Sequence, residues 1–303
     1  MMVPELNRMV SLAEHHTRAT VYREVHADTV TPITLLTRFQ NRNRLFLLES
    51  ARLDKSFSRF SFFGYDPVRI FRLYADRLVI QSPEGETVIT DDPFGHLVEQ
   101  FRGQAAHNEK EFGDFNGGFV GWFAYEAVTL MNILRNPIDI PVDEPLGVFF
   151  EVDQFFVLDN HRFKLYAACS ISLDGDVAAA YRAASSRAAA MAAELEAAEP
   201  VPVRPSEPSA FQRELDRTTF MDRVEAIRKE IEAGECIQAV LSNRYRIPGR
   251  QNAVTFYRAL RRVNPSPYLF LIKDGDIVLT GSSPETHLKV KDGIATLKPI
   301  AGT

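Results

Sequence analysis

Tryptophan occurs once and cysteine twice in the 303 residues. Cys169 and Cys236 lie far apart, form no CxxC pair and have no histidine nearby. The chain therefore offers neither a disulfide framework nor a zinc-ligand spacing, and two thiols in a reducing compartment is the expectation. No run approaches the ~18 consecutive apolar residues of a membrane span. The opening stretch, MMVPELNRMVSLAEHH, lacks the apolar core of a secretory signal. The expected location is the cytoplasm, with no membrane partner. Basic residues are not in excess: 35 stand against 40 acidic ones, for a net charge of −5. That balance argues against a nucleic-acid partner, which calls for a basic face. The motifs GxxxxGK[ST], HExxH, GxSxG and GxGxxG are all absent, and the seven histidines are scattered.

Hydrophobic residues make up 45% and charged residues 25%, which excludes wholesale disorder. The length suits about two domains of ~150 residues. One composition shift marks a boundary. Residues 177–198 contain 12 alanines, a density that favours a surface helix. Residues 199–209 then carry four prolines, which forbid helix and disfavour a central strand. The expected division is 1–205 and 206–303.

In the first part, residues 45–48 and 60–63 are short apolar runs of buried-strand type. Residues 69–80 read as two strands about a turn at Ala75 and Asp76. Residues 92–101 read as a helix with Phe94, Leu97, Val98 and Phe101 on one face. Residues 153–168 read as a hairpin turning at Asp159 and Asn160. Gly117 and Gly118 allow a backbone turn or a close approach.

In the second part, Thr219 is placed to cap a helix bearing Phe220, Val224, Ile227 and Ile231, closed by Gly234 in left-handed conformation. Residues 237–247 alternate as a buried strand with Gln238, Ser242 and Arg244 on one face, an arrangement that lines a cavity. A further helix carries Phe256, Leu260 and Val263. Three strands follow, through turns at 274–275 and 292–293. The class is α+β, with mixed, largely antiparallel sheet.

Four words occur in order: GECIQAVLSNR (234–244), NPSPY (264–268), GSSPE (281–285) and PIAGT (299–303). LLES (47–50), SRFSFFG (58–64) and GGFVG (117–121) precede them. The set resembles the chorismate-utilising enzymes, and within them the anthranilate synthase component I group, over residues 20–303. The resemblance implies an enzyme that makes anthranilate and pyruvate from chorismate and ammonia. A glutamine amidotransferase subunit would supply the ammonia. The pathway implied is tryptophan biosynthesis, with tryptophan as feedback inhibitor. Glu285 and Gln238 match active-site positions of the family, and Gly302 with Thr303 matches its substrate-binding turn. Relatives that add water carry a lysine base where Gln238 stands, whereas ammonia needs no such base. Many aminodeoxychorismate synthases carry a lysine nucleophile where Ala301 stands. That activity, in the 4-aminobenzoate pathway, is the alternative, and a non-catalytic tryptophan-binding remnant is a second. Tryptophan would lie between LLES and NPSPY, with Ser50 and Glu49 on its amino-acid end and Pro267, Tyr268 and Leu269 walling the indole. Lys55 is a further candidate. The family's Mg2+, a hard cation suited to oxygen ligands, is expected to take its ligands from beyond residue 303. The resemblance thus implies a C-terminally truncated catalytic domain, inactive alone.

Overall fold

The structure is a computed structural model that describes residues 2–26, 29–50, 59–102, 115–131, 133–134, 140–203, 210–249, 251–291 and 293–299. It divides into two compact units, Met1–Pro202 with Tyr257–Pro284, and Val203–Phe256 with Glu285–Thr303. The hairpin of residues 268–283, which the division at 205 assigns to the second domain, therefore belongs to the first unit. The reason is strand pairing: β14 (Tyr268–Asp274) adds antiparallel to β3 (Arg44–Glu49), with Leu269 opposite Glu49 and Asp274 opposite Arg44.

Among the described residues, the first unit holds two sheets. One runs β1 (Met2–Val3), β2 (Arg18–Val25), β11 (Lys164–Ser172), β10 (Gln154–Asp159), β4 (Phe60–Tyr65), β3, β14 and β15 (Ile277–Ser283). The other runs β7 (Gly85–Ile89), β6 (Leu78–Ser82), β5 (Arg69–Leu73), β9 (Gly147–Val152) and β8 (Gly118–Phe123). Every pairing is antiparallel. The main core lies between the sheets. It includes Tyr22, Phe46, Val120, Phe150, Phe155, Val157 and Ile272, with Phe62, Phe115 and Trp122 packed on it. The outer face of the second sheet is covered by α3 (Pro93–Phe101). Its Leu97 joins Phe71, Leu73, Leu78 and Phe149, with Phe94 and Phe101 alongside, as the helical period predicts.

The alanine-rich segment forms α4 (Val177–Ala197), capped by Asp176, and it packs on β2 and β11. Its buried stripe is Ala184, Ala188, Met191 and Leu195. Small side chains there let the helix approach the sheet closely. Within the sheet, the Cys169 thiol is buried, and burial pushes its pKa up to about 12, so it stays protonated and unreactive. Gly117, at φ +89, makes the expected turn into β8. A Cβ there would meet the Val152 carbonyl oxygen at 2.9 Å.

The hairpin of β10 and β11 turns over residues 160–163. Asp159 organises it by accepting the amides of His161 and Arg162 and pairing with Arg59 Nη2 at 2.7 Å. Burial opposes its charge, but Arg59 and the two amides outweigh burial and hold the carboxyl below the usual aspartate range. This stabilisation is full above the unfolded value of about 3.9 and fades as pH falls through the lower folded value. Thermal melts taken from pH 5 down to pH 3 should therefore fall more steeply for the natural chain than for Asp159→Asn. Parallel curves would contradict that account.

The second unit is sparsely packed. Its helix α5 (Arg217–Glu232) has no buried residue. Asp216, not Thr219, is the cap: the helix starts three residues earlier than expected, and Thr219 donates both its amide and its hydroxyl to the Asp216 carboxylate. Gly234 follows at φ +83, as expected. The buried strand expected over 237–247 is not formed. Among the described residues only β13 (Tyr245–Arg246) is strand there, paired with β12 (Gln212–Arg213), and Ile237 and Val240 are 97% and 85% exposed. Alternation sets which side chains share a face, but a strand also needs a neighbour to pair with; among the described residues 237–242 have none, and contact begins only where Asn243 and Arg244 bond Leu215 and Glu214. A second small hairpin joins β16 (Lys289–Lys291) to β17 (Ile294–Thr296).

The helix expected around 256–263 is α6 (Ala253–Val263), but of the apolar residues read in register, Phe256, Leu260 and Val263, only Leu260 is even half-buried. Val254 and Tyr257 are buried, whereas Phe256 and Val263 are 49% and 84% exposed. The helical period groups residues into faces without saying which face turns inward.

Candidate functional site

The first unit contains a cavity of about 440 Å³ where β3, β14 and β15 of one sheet face β8 of the other. That volume suits a small organic molecule. Its walls are largely aromatic and aliphatic: Leu48, Phe115, Phe119, Trp122, Tyr268 and Phe270 dominate, and Glu49 and Leu269 border it.

Register explains the choice of walls. Leu48 lies opposite Phe270, so both side chains stand on one face of the sheet, while Glu49 and Leu269 stand on the other. Ser50 follows immediately after the last paired residue of β3. The Ser50 hydroxyl is buried and has no hydrogen-bond partner among the described residues. A buried hydroxyl left in that state is costly, and it is the kind of group a ligand satisfies.

The register also changes the part that Glu49 can take. Its carboxylate does not stand beside Ser50 as a free acceptor for an ammonium group. It accepts from the Tyr257 hydroxyl at 2.7 Å and from Arg261 Nε at 2.6 Å, with only 2% of the side chain exposed. Tyr257 and Arg261 lie one turn apart on α6, close enough for both to reach one oxygen. Burial, followed by the adjacent Glu49 charge, pushes the Tyr257 phenol well above its ordinary value, so it remains a donor.

Of the residues expected to wall an inhibitor, Tyr268 lines the cavity, Leu269 is buried at its border and half-buried Pro267 precedes it in the turn. Sequence reasoning missed Leu48, Trp122, Phe270, Tyr257 and Arg261. The alternation in GGFVGWF and YLFLI could have brought out Trp122 and Phe270; nothing local points to Tyr257 or Arg261.

The residues expected to carry catalysis are not gathered into an enclosed site. Gln238 is exposed on the irregular segment of the second unit, and Glu285 is half-buried just after β15. Gly302, Thr303, Ala301 and Lys55 lie outside the described residues. Among the described residues no three carboxylate, imidazole or thiol groups converge on a point where a metal could sit. They do not fit the several oxygen ligands that Mg2+ demands, so magnesium enters no step below. Among them, too, no helix is long and apolar enough to cross a membrane.

The family described as chorismate binding enzyme matches residues 48–303. Anthranilate synthase component 1 of Acetivibrio thermocellus is 28% identical over 312 residues, covering all of this chain and 63% of that protein. The protein of the same name from Pseudomonas aeruginosa is 30% identical, covering 96% of this chain and 61% of its own length. The crystal structure of anthranilate synthase component I from Streptococcus pneumoniae TIGR4 aligns with a TM-score of 0.64 at 27% identity, over 91% of this chain and 60% of that one. The chain thus spans about three-fifths of the length of the relatives it matches.

Proposed function

The chain belongs to the chorismate binding enzyme family, and from this we propose that it is the effector-binding part and the start of the catalytic part of an anthranilate synthase component I. The reaction would join chorismate and ammonia, with loss of the ring hydroxyl as water and elimination of pyruvate, to leave anthranilate. A glutamine amidotransferase subunit would deliver the ammonia. Gln238 would border the ring without acting as a base, since ammonia is already a nucleophile. Glu285 would face the substrate, and Gly302 with Thr303 would offer an amide and a hydroxyl to a chorismate carboxylate. The enzyme would serve tryptophan synthesis in the cytoplasm and be inhibited by tryptophan.

The observation that carries the effector half of this reading is the cavity itself. It is an aromatic-walled space at the LLES and NPSPY words, and Ser50, whose buried hydroxyl has no partner among the described residues, follows directly after its lining residues Leu48 and Glu49. Indole would stack among Trp122, Tyr268 and Phe270, and Ser50 would bond the amino-acid group. Calorimetry on the 303-residue chain tests this. L-tryptophan should give binding heat, with an affinity that weakens at least tenfold, about 1.4 kcal/mol, in Ser50→Ala. Absence of heat from folded natural protein would end the reading.

A second reading, tryptophan binding without catalysis, is favoured by one feature. The cavity lies in the well-packed unit, whereas Gln238 lies on an exposed segment of the other. The activity expectation that opens the Discussion separates it from an enzyme that is active as it stands.

A further inference from the structure

The buried Glu49 carboxylate has no part in holding the ligand as proposed above, yet it lies between two residues that do, Leu48 and Ser50. A carboxylate buried to this depth is tolerated only while donors stay on it. Its two donors, Tyr257 and Arg261, come from α6, and Tyr257 is itself fully buried. The last residue of β3 therefore cannot peel away from α6 without stranding a charge. The same helix runs through residues 264–267 into Tyr268, the opposite wall of the cavity. That short turn is fixed in its own right by Ser282 Oγ, which donates to the Asn264 carbonyl at 2.5 Å.

We propose that Tyr257 and Arg261 are positioning residues for the cavity. By clasping Glu49 they hold Leu48 on one rim, with Ser50 next in the chain after Glu49, and Tyr268 on the other, and so set the affinity for the amino acid bound there. The affinity half rests on the tryptophan reading above; the positioning half does not.

Two measurements on the 303-residue chain test the pair. The first is amide hydrogen exchange without ligand. In Arg261→Gln, residues 47–50 and 268–270 should exchange at least tenfold faster than in the natural chain, and Arg261→Lys should recover most of the protection. Tyr257→Phe, which keeps the ring and Arg261, should show a smaller loss in the same segments and serves if Arg261→Gln fails to fold. Arg44→Gln is the control for general weakening. It removes the Arg44–Asp274 pair at the far end of the same strand and should leave residues 47–50 and 268–270 unchanged. The second measurement is L-tryptophan affinity, expected to fall at least tenfold in Arg261→Gln, to return in Arg261→Lys, and to hold in Arg44→Gln.

Unchanged exchange at 47–50 and 268–270 in Arg261→Gln overturns the proposal. So does a general loss of protection shared equally with Arg44→Gln, and so does equal tryptophan affinity in Arg261→Gln and a natural chain that binds. If the natural chain gives no heat with tryptophan, the inhibitor reading falls, and exchange alone decides the clasp.

Discussion

Purified free of host enzymes and supplied with chorismate, magnesium and ammonium at high pH, the 303-residue chain is expected to form no anthranilate above a protein-free blank. The argument is one of solvation. Chorismate carries two carboxylates, and they enter a site out of water only against fixed donors and positive charge. The segment bearing Gln238 offers no such enclosure: Ile237 and Val240 beside it are 97% and 85% exposed. A substrate resting on that segment keeps most of its water, and groups that water can displace do little for a transition state. Each ~1.4 kcal/mol of lost stabilisation is a tenfold loss in rate, so a site without enclosure falls below detection. Anthranilate fluorescence gives a sensitive readout. Magnesium-dependent product from the chain alone would show that the exposed segment is competent as it stands.

The second large effect is structural. Replacing Phe46 by alanine should lower the stability of the first unit by roughly 3–5 kcal/mol, the usual cost of removing a buried phenylalanine. Phe46 is 1% exposed at the centre of the core between the sheets. Its ring also lies over Gly64 of the neighbouring strand, where an added Cβ would come within 2.2 Å of it. Phe270 covers Gly281 in the same manner. Alanine would leave both the core and the bare backbone of Gly64 uncovered. At ~2–4 °C per kcal/mol for a unit of this size, the melting temperature should drop by roughly 10 °C. Phe46→Leu keeps most of the volume and should cost clearly less. A drop below about 2 °C for the alanine variant would mean that the core collapses to fill the space.

Much of this architecture is legible in the sequence wherever a local signal coincides with a local cause. The helix at 93–101 is announced by its apolar spacing, and much of what its buried Leu97 meets, Phe71, Leu73 and Leu78, lies close by in the chain. The hairpins at 69–82 and 154–172 follow from apolar runs about polar turns. Legibility ends where a long-range partner decides. Residues 237–242 alternate like a strand but have no neighbour to pair with among the described residues. Helix α6 has two plausible inward faces, and the inward one includes the donors that Glu49 requires from some 200 positions away in the chain. The candidate site divides the same way. The words at 47–50 and 264–268 mark where a ligand would lie, but only the register shows that Glu49 faces the opposite side of the sheet from Leu48 and Phe270.

Asp274 carries a consequence for how the sequence can drift. It is buried opposite Arg44, and it accepts from Arg44 Nε and, in two bonds, from Arg72 of the other sheet. One carboxylate with two independent cations is a redundant joint. Loss of either arginine leaves Asp274 neutralised, whereas loss of both strands a buried charge. The two replacements are therefore coupled more than additively. Lineages can exchange one arginine while keeping the other, so variability at 44 or 72 taken singly understates how strongly the pair is constrained.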